Sequence, residues 1–177
     1  QLYDISGDKT KLIVNFTTID ELHFAQAIPE GLLSKNSTKI YKIEDNHHPY
    51  VTKGEKEAKV ERKGNEVHVY MSSIRSHFVP DNIEGVKLGD VVYFHVTNLE
   101  QDWDVPHGFA VKGANNAELL IMPGETSTLM WKPDRVGVFP FYCTDFCSAL
   151  HQEMQGYIRI SPANSNVPLT FSTGTNQ

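Results

Sequence analysis

The chain has 177 residues, with 16 basic and 22 acidic side chains and a formal net charge of -6. It is long enough to bury a real core in one domain with extensions. The acidic balance speaks against a nucleic-acid partner, which needs a basic face, and no apolar run approaches the ~18 residues of a membrane span.

Residues 1–62 read as connection rather than core. Leu12-Ile13-Val14 is a short apolar run after the turn-like Ser6-Gly7-Asp8. Thr18 to Leu33 has the composition of a helical turn or two, broken at Pro29 and Gly31. Asn46-His47-His48-Pro49 reads as a solvated turn, and residues 53–63 as a solvated face or loop of Lys, Glu and Arg. No signal pattern opens the sequence, so if the protein is exported its signal is expected upstream.

From Glu66 the pattern changes to period two. Val67, Val69 and Met71 alternate with Glu66, His68 and Tyr70, as in a half-buried strand. Ile83 to Leu88 is a second strand. Val91 to Asn98 is a third, with Val92, Phe94 and Val96 on one face and Tyr93 and His95 on the other. His68 and His95 are expected on outward or rim positions. Further short runs follow at 107–112, 117–122, 126–132, 138–142 and 156–161, split by Gly113, Pro123-Gly124 and Pro133 to Gly137. Short strands between turn signals predict an all-β sandwich or barrel over 63–162. The polar tail, 163–177, is either loose or laid along a neighbouring surface.

The chemistry concentrates in Cys143-x3-Cys147-x3-His151-x2-Met154, which holds both cysteines of the chain. Two cysteines at this spacing alone suit a disulfide or a metal. Thiolate, imidazole and thioether together suit copper, whereas zinc has no use for the thioether. If Cys147 to Met154 coils helically, Cys147, His151 and Met154 share one face, and Cys143 reaches the same spot from the incoming strand. Two adjacent thiolates can each bridge a pair of copper ions, which spreads a transferred electron over both metals. The second imidazole expected is His107, in Val105-Pro106-His107-Gly108-Phe109, where a strand starts directly after a loop. Phe109, Phe141, Tyr142, Phe146, Leu150 and Tyr157 crowd the motif in sequence and are expected mostly in the core. Trp103 and Asp104 flank the His107 loop and are weak candidates for a docking surface.

These residues resemble the binuclear CuA site of nitrous oxide reductase and of cytochrome c oxidase subunit II. The resemblance is carried by the Cys143–Met154 motif, by His107-Gly108-Phe109, and by Val86-Lys87-Leu88-Gly89-Asp90 followed by Val96-Thr97-Asn98. It implies a cupredoxin-like Greek-key β-sandwich with an extended N-terminal connector. It also implies two copper ions, with Cys143 and Cys147 bridging them and His107 and His151 each on one. Met154 would be axial to one copper and the backbone carbonyl of Asp145 to the other. Phe146-Cys147, Ala149-Leu150-His151, Glu153-Met154 and the opening Asp4-Ile5-Ser6-Gly7-Asp8-Lys9 are similar to the reductase. Asp145 departs from it, since the reductase often has Trp between the cysteines.

The resemblance further implies a periplasmic electron-transfer domain in denitrification. Its partners would be a c-type cytochrome or blue copper protein as donor and the catalytic β-propeller of a homodimeric parent. The chain has no propeller, so it is not expected to reduce nitrous oxide alone. A CuA domain of oxidase type, a disulfide-bonded non-redox binding sandwich and a mononuclear zinc or copper site are the competing readings.

Overall fold

The computed structural model describes residues 2–4, 11–14 and 43–173, with Trp103 and Asn116 excepted. The chain divides into two compact units, Gln1–Lys39 and Ile40–Gln177. In the first, β1 (Leu2–Asp4) and β2 (Lys11–Val14) pair antiparallel. The helical turns expected over Thr18 to Leu33 fall outside the described residues.

The second unit is a sandwich of two sheets. One holds, in spatial order, β10 (Thr126–Trp131), β7 (Val91–Asn98), β4 (Glu66–Ile74) and β3 (Lys59–Lys63), with β5 (His77–Val79) paired to β4. The other runs β13 (Thr170–Ser172), β6 (Asn82–Lys87), β12 (Gln155–Ser161), β11 (Gly137–Tyr142), β8 (His107–Val111) and β9 (Glu118–Ile121). Two pairings are parallel, β4 with β7 and β12 with β6, and the rest are antiparallel. The all-β class and cupredoxin-like sandwich expected from the sequence are what the chain forms.

Period-two alternation drives this arrangement. Val67, Val69 and Met71 of β4 and Val92, Phe94 and Val96 of β7 are fully buried on the inner face. They meet Phe109 and Phe141 from the opposite sheet and Phe78 from β5. Phe78 packs edge-on to Phe109 at 5.4 Å, and Phe94 lies 5.2 Å from Phe109 between ring centres. Each such ring stabilises the fold by about 1.5–3 kcal/mol through burial. This aromatic centre also fixes β8 and β11 beside each other, and those two strands deliver His107 and Cys143.

Two stretches differ from the sequence expectation. Lys59–Lys63 is an edge strand rather than a solvated loop. It needs only backbone pairing and one apolar contact from Val60, while charged neighbours suit an unpaired edge. The outward histidines of β4 and β7 are also buried, His68 at 7% and His95 at 1% exposure. The segment 43–58 covers them. Tyr50 stacks on His95 at 4.0 Å, the Thr52 N–H donates to Thr97 Oγ1 at 3.0 Å, and Asn46 Nδ2 donates to the Gly124 carbonyl at 2.7 Å.

The tail lies along a strand. Thr170–Ser172 pairs antiparallel with Asn82–Glu84 of β6. Gly85, at φ 85°, admits the crossing, since a Cβ there would overlap the Pro168 carbonyl.

Candidate metal centre

The hairpin β11–β12 pauses for twelve residues between Tyr142 and Gln155, whose Cα atoms are ladder partners. Beyond that rung the Cys143 N–H donates to the Met154 carbonyl at 3.0 Å, so the loop is closed at its neck. Within it, residues 148–150 turn and His151–Glu153 forms one 3-10 turn. The helical face expected for 147–154 is thus a turn followed by 3-10 geometry. The side chains still converge, because the closed neck folds both ends of the loop inward.

Cys147 Sγ lies 3.6 Å from Met154 Sδ and 3.8 Å from His151 Nδ1. Cys143 Sγ lies 3.9 Å from Cys147 Sγ, 3.9 Å from His107 Nδ1 and 3.2 Å from the Asp145 carbonyl oxygen. The donor atoms of His107, Cys143 and Cys147 all sit within 4.8 Å of one another, and all three residues are buried. Each of the six residues expected at the site therefore has a donor atom within 4 Å of a cysteine sulfur.

Both thiols are free. Their separation is far above the ~2.05 Å of a disulfide. It also suits donors that share a metal. Bonds of about 2.3 Å to sulfur and about 2.0 Å to imidazole nitrogen place neighbouring donors three to four ångströms apart.

Gly108 explains how the two loops meet. A Cβ there would overlap the Thr144 hydroxyl and stand 2.7 Å from the Asp145 nitrogen and 2.8 Å from that of Thr144. Only a glycine after His107 lets the cysteine loop rest on β8. Thr144 Oγ1 also donates to Glu118 Oε1 of β9 at 2.7 Å, tying the loop to the edge of the sheet.

A buried acid completes the arrangement, and it was not foreseen by name. Glu100, 4% exposed, stands with Oε1 3.3 Å from His107 Nε2. Arg75 holds that carboxylate, with its N–H at 2.7 Å and its Nε at 3.2 Å from Oε1 and its Nη2 at 3.1 Å from Oε2. The Glu100 N–H donates to Asn98 Oδ1 at 2.9 Å. The only signal in the sequence was a carboxylate seven residues ahead of the histidine. Imidazole ligands commonly pass their other N–H to such a group, which fixes the ring and its tautomer.

The electrostatics follow from these contacts. A hydrogen bond from Cys147 draws the Cys143 thiol down to about 4, with His107 adding to it. Cys147 is pushed far up, first because it supplies that proton and then by burial. Burial opposes protonation of His107, but its bonds to Cys143 and Glu100 outweigh burial and raise its pKa. Burial likewise opposes the charge on Glu100, and His107 and Arg75 reverse that.

Of the six side chains crowding the motif in sequence, only Phe109 and Phe141 are core. Tyr142 and Tyr157 face outward on their strands, and Phe146 and Leu150 are 67% and 60% exposed. A loop that turns its donors inward turns the residues between them outward. Trp103 lies outside the described residues, and Asp104 is exposed.

No family model matches the chain. It is 36% identical over 174 residues to the nitrous-oxide reductase of Stutzerimonas stutzeri, covering 92% of this chain and 26% of that protein. The chain thus spans about a quarter of the length of the reductases it matches. It is 33% identical over 137 residues to cytochrome c oxidase subunit 2 of Thermus thermophilus, covering 77% of this chain and 93% of that protein. Among solved structures, a chain of a heme-copper terminal oxidase dimer superposes with a TM-score of 0.50 at 24% identity, over 59% of this chain and 71% of that one. That likeness is one of fold.

Proposed function

Since the chain belongs to the family of CuA cupredoxin domains found in nitrous-oxide reductase and in subunit 2 of cytochrome c oxidase, we propose that it carries electrons through a pair of copper ions toward the catalytic site of a nitrous-oxide reductase. The observation that carries this reading is the gathering of His107, Cys143 and Cys147 donor atoms within 4.8 Å, with His151 and Met154 each under 4 Å from Cys147. A copper pair bound there would take up and release one electron at little geometric cost. The chain's own part would be to offer it the Cys143 and Cys147 thiolates, the imidazoles of His107 and His151, the Met154 thioether and the Asp145 carbonyl.

The rest of the site serves the same end. Glu100 accepts the Nε2 proton of His107, leaving Nδ1 for metal. Both sulfurs are buried in the same apolar cluster as Met154, Phe109 and Phe141, and a dry apolar shell tunes potential. Phe146 and Leu150 stand exposed on the metal loop of an acidic chain. They suit a donor with an apolar contact and a basic rim, such as a small c-type cytochrome or a blue copper protein. The parent would be a periplasmic homodimer that includes a catalytic propeller.

The reductase is favoured over the oxidase subunit because its match extends over 92% of the chain, against 77%. No described helix is long and apolar enough to cross a membrane.

Electron paramagnetic resonance on the copper-loaded chain, with a metal count, tests the reading. Two coppers per chain and a hyperfine pattern shared between two nuclei are expected, and Cys147→Ser should abolish that pattern. Splitting from a single copper nucleus would overturn it.

A further inference from the structure

The turn that joins β4 to β5 touches both halves of the metal centre through adjacent residues. Arg75 reaches the His107 half. Its N–H and Nε meet Glu100 Oε1 at 2.7 and 3.2 Å, and Glu100 meets the His107 ring. Ser76 reaches the other half. Its hydroxyl lies 2.5 Å from that of Ser148, the residue after Cys147. Ser148 Oγ accepts the Leu150 N–H at 3.2 Å, and its carbonyl accepts the His151 N–H at 3.0 Å. Ser148 is buried, at 6% exposure, while Ser76 is half-buried.

The turn is itself held in place. The Leu99 N–H donates to the Ser73 carbonyl at 2.9 Å, Ser73 Oγ donates to the Thr97 carbonyl at 3.2 Å, and His77 bonds Glu55. Arg75 Nη2 also meets Asp102 at 3.0 Å. A rigid two-residue bridge therefore spans from β8 to the metal loop. The Gly108 contact presses the loop onto β8 near Thr144, four residues before Ser148.

We propose that Arg75 and Ser76 are positioning residues that set the spacing between the His107–Cys143 half and the Cys147–His151–Met154 half of the centre. Arg75 acts through Glu100, and Ser76 acts through Ser148. Each half then has its own tie, and removing one tie loosens one half. The copper reading of the site enters only through the loaded-protein measurement below.

The metal-free protein tests this by alkylation with iodoacetamide at fixed pH, with each cysteine followed by peptide fragmentation. Both sulfurs are nearly buried, at 4% and 2% exposure, so labelling reports local opening. Ser76→Ala should raise the rate at Cys147 about fivefold and leave Cys143 unchanged, the scale expected for one lost hydrogen bond. Ser76→Thr, which restores a hydroxyl, should restore the rate. Arg75→Gln should do the converse and raise Cys143. Equal rises at both cysteines in either variant would mean general loosening and overturn the proposal, as would no change. Should Ser76→Ala fail to fold, Ser148→Ala breaks the same contact from the loop side.

With copper bound, the same variants should keep two metals and shift the reduction potential, Ser76→Thr returning it to the parent value. A parent chain without a two-copper signal would end the copper reading, and the labelling pattern would still decide the positioning roles.

Discussion

His107 and His95 are the same residue at the same depth, 0% and 1% exposed, and the fold treats them in opposite ways. His107 faces the Glu100 carboxylate and the Cys143 sulfur, and its pKa is raised. His95 faces His68 Nδ1 at 2.9 Å, Thr128 Oγ1 at 2.8 Å and the stacked ring of Tyr50. Burial and then the neighbouring His68 push its pKa down to about 4. Depth alone does not give a histidine its role. The charge of what it faces does, and of these two imidazoles the one set between a carboxylate and a thiol is placed to give a nitrogen to a metal.

The sharpest break of that contrast is Glu100→Ala. It leaves Arg75 with Asp102 alone of its two carboxylates and removes the proton acceptor of His107, and leaving a buried donor unsatisfied costs about 1–3 kcal/mol. Chemical denaturation of the metal-free chain should show that loss, and Glu100→Gln should recover part of it. An unchanged midpoint for Glu100→Ala would mean the carboxylate does not organise the site.

The His95 side is tested by acid. A histidine whose folded pKa lies below its unfolded one stabilises the fold fully above about 6.5 and loses that contribution as pH falls toward about 4. The two values differ by about 2.5 units, which is about 3 kcal/mol of lost stability across that window. The groups around it are His68, Tyr50, Tyr70, Tyr93 and Thr128, with Glu66 Oε2 3.5 Å from His68 Nε2. His95→Gln should flatten the fall between pH 6.5 and 4, measured as the denaturation midpoint against pH. A variant as acid-sensitive as the parent would place the titration elsewhere.

Gly108→Ala sharpens the other side. The carboxylate matters to a metal only while the cysteine loop rests on β8, and a methyl group in that contact should cost about 1–3 kcal/mol by overpacking. The copper count per chain should fall with it, and full loading at parental stability would show the loop moves aside freely. The smallest effect is expected from Met154→Leu. A volume-conserving swap in an apolar site costs under about 1.5 kcal/mol, and on the proposed reading, where the thioether would be a weak ligand, copper should stay bound while the potential shifts. Loss of copper in that variant would show that Met154 holds the metal rather than tuning it.

Much of this was legible in the sequence. The alternation around Val67–Met71 and Val92–Val96 gave the inner faces, and the spacing from Cys143 to Met154 with His107-Gly108 gave the donors. What was hidden has long sequence reach. Glu100 gains meaning from Arg75, twenty-five residues away, and Ser148 from Ser76, seventy-two away. His68 and His95 sit on the outer face as expected, yet they are covered, because residues 43–58 lack any periodicity that would announce a cover. Tyr142, Phe146 and Leu150 looked like core by composition. Their exposure follows from which way the loop turns, which composition does not encode.

The free thiols beneath the Gly108 contact bear on how the protein matures. In an oxidising compartment, two neighbouring cysteines ordinarily close on each other. Here they would have to approach by roughly 2 Å to bond, against a loop wedged on β8 at its start and bonded through Ser148 at its middle. The unloaded chain should therefore keep both sulfhydryls in aerated buffer until its cargo arrives, as a titration with Ellman's reagent over hours would record.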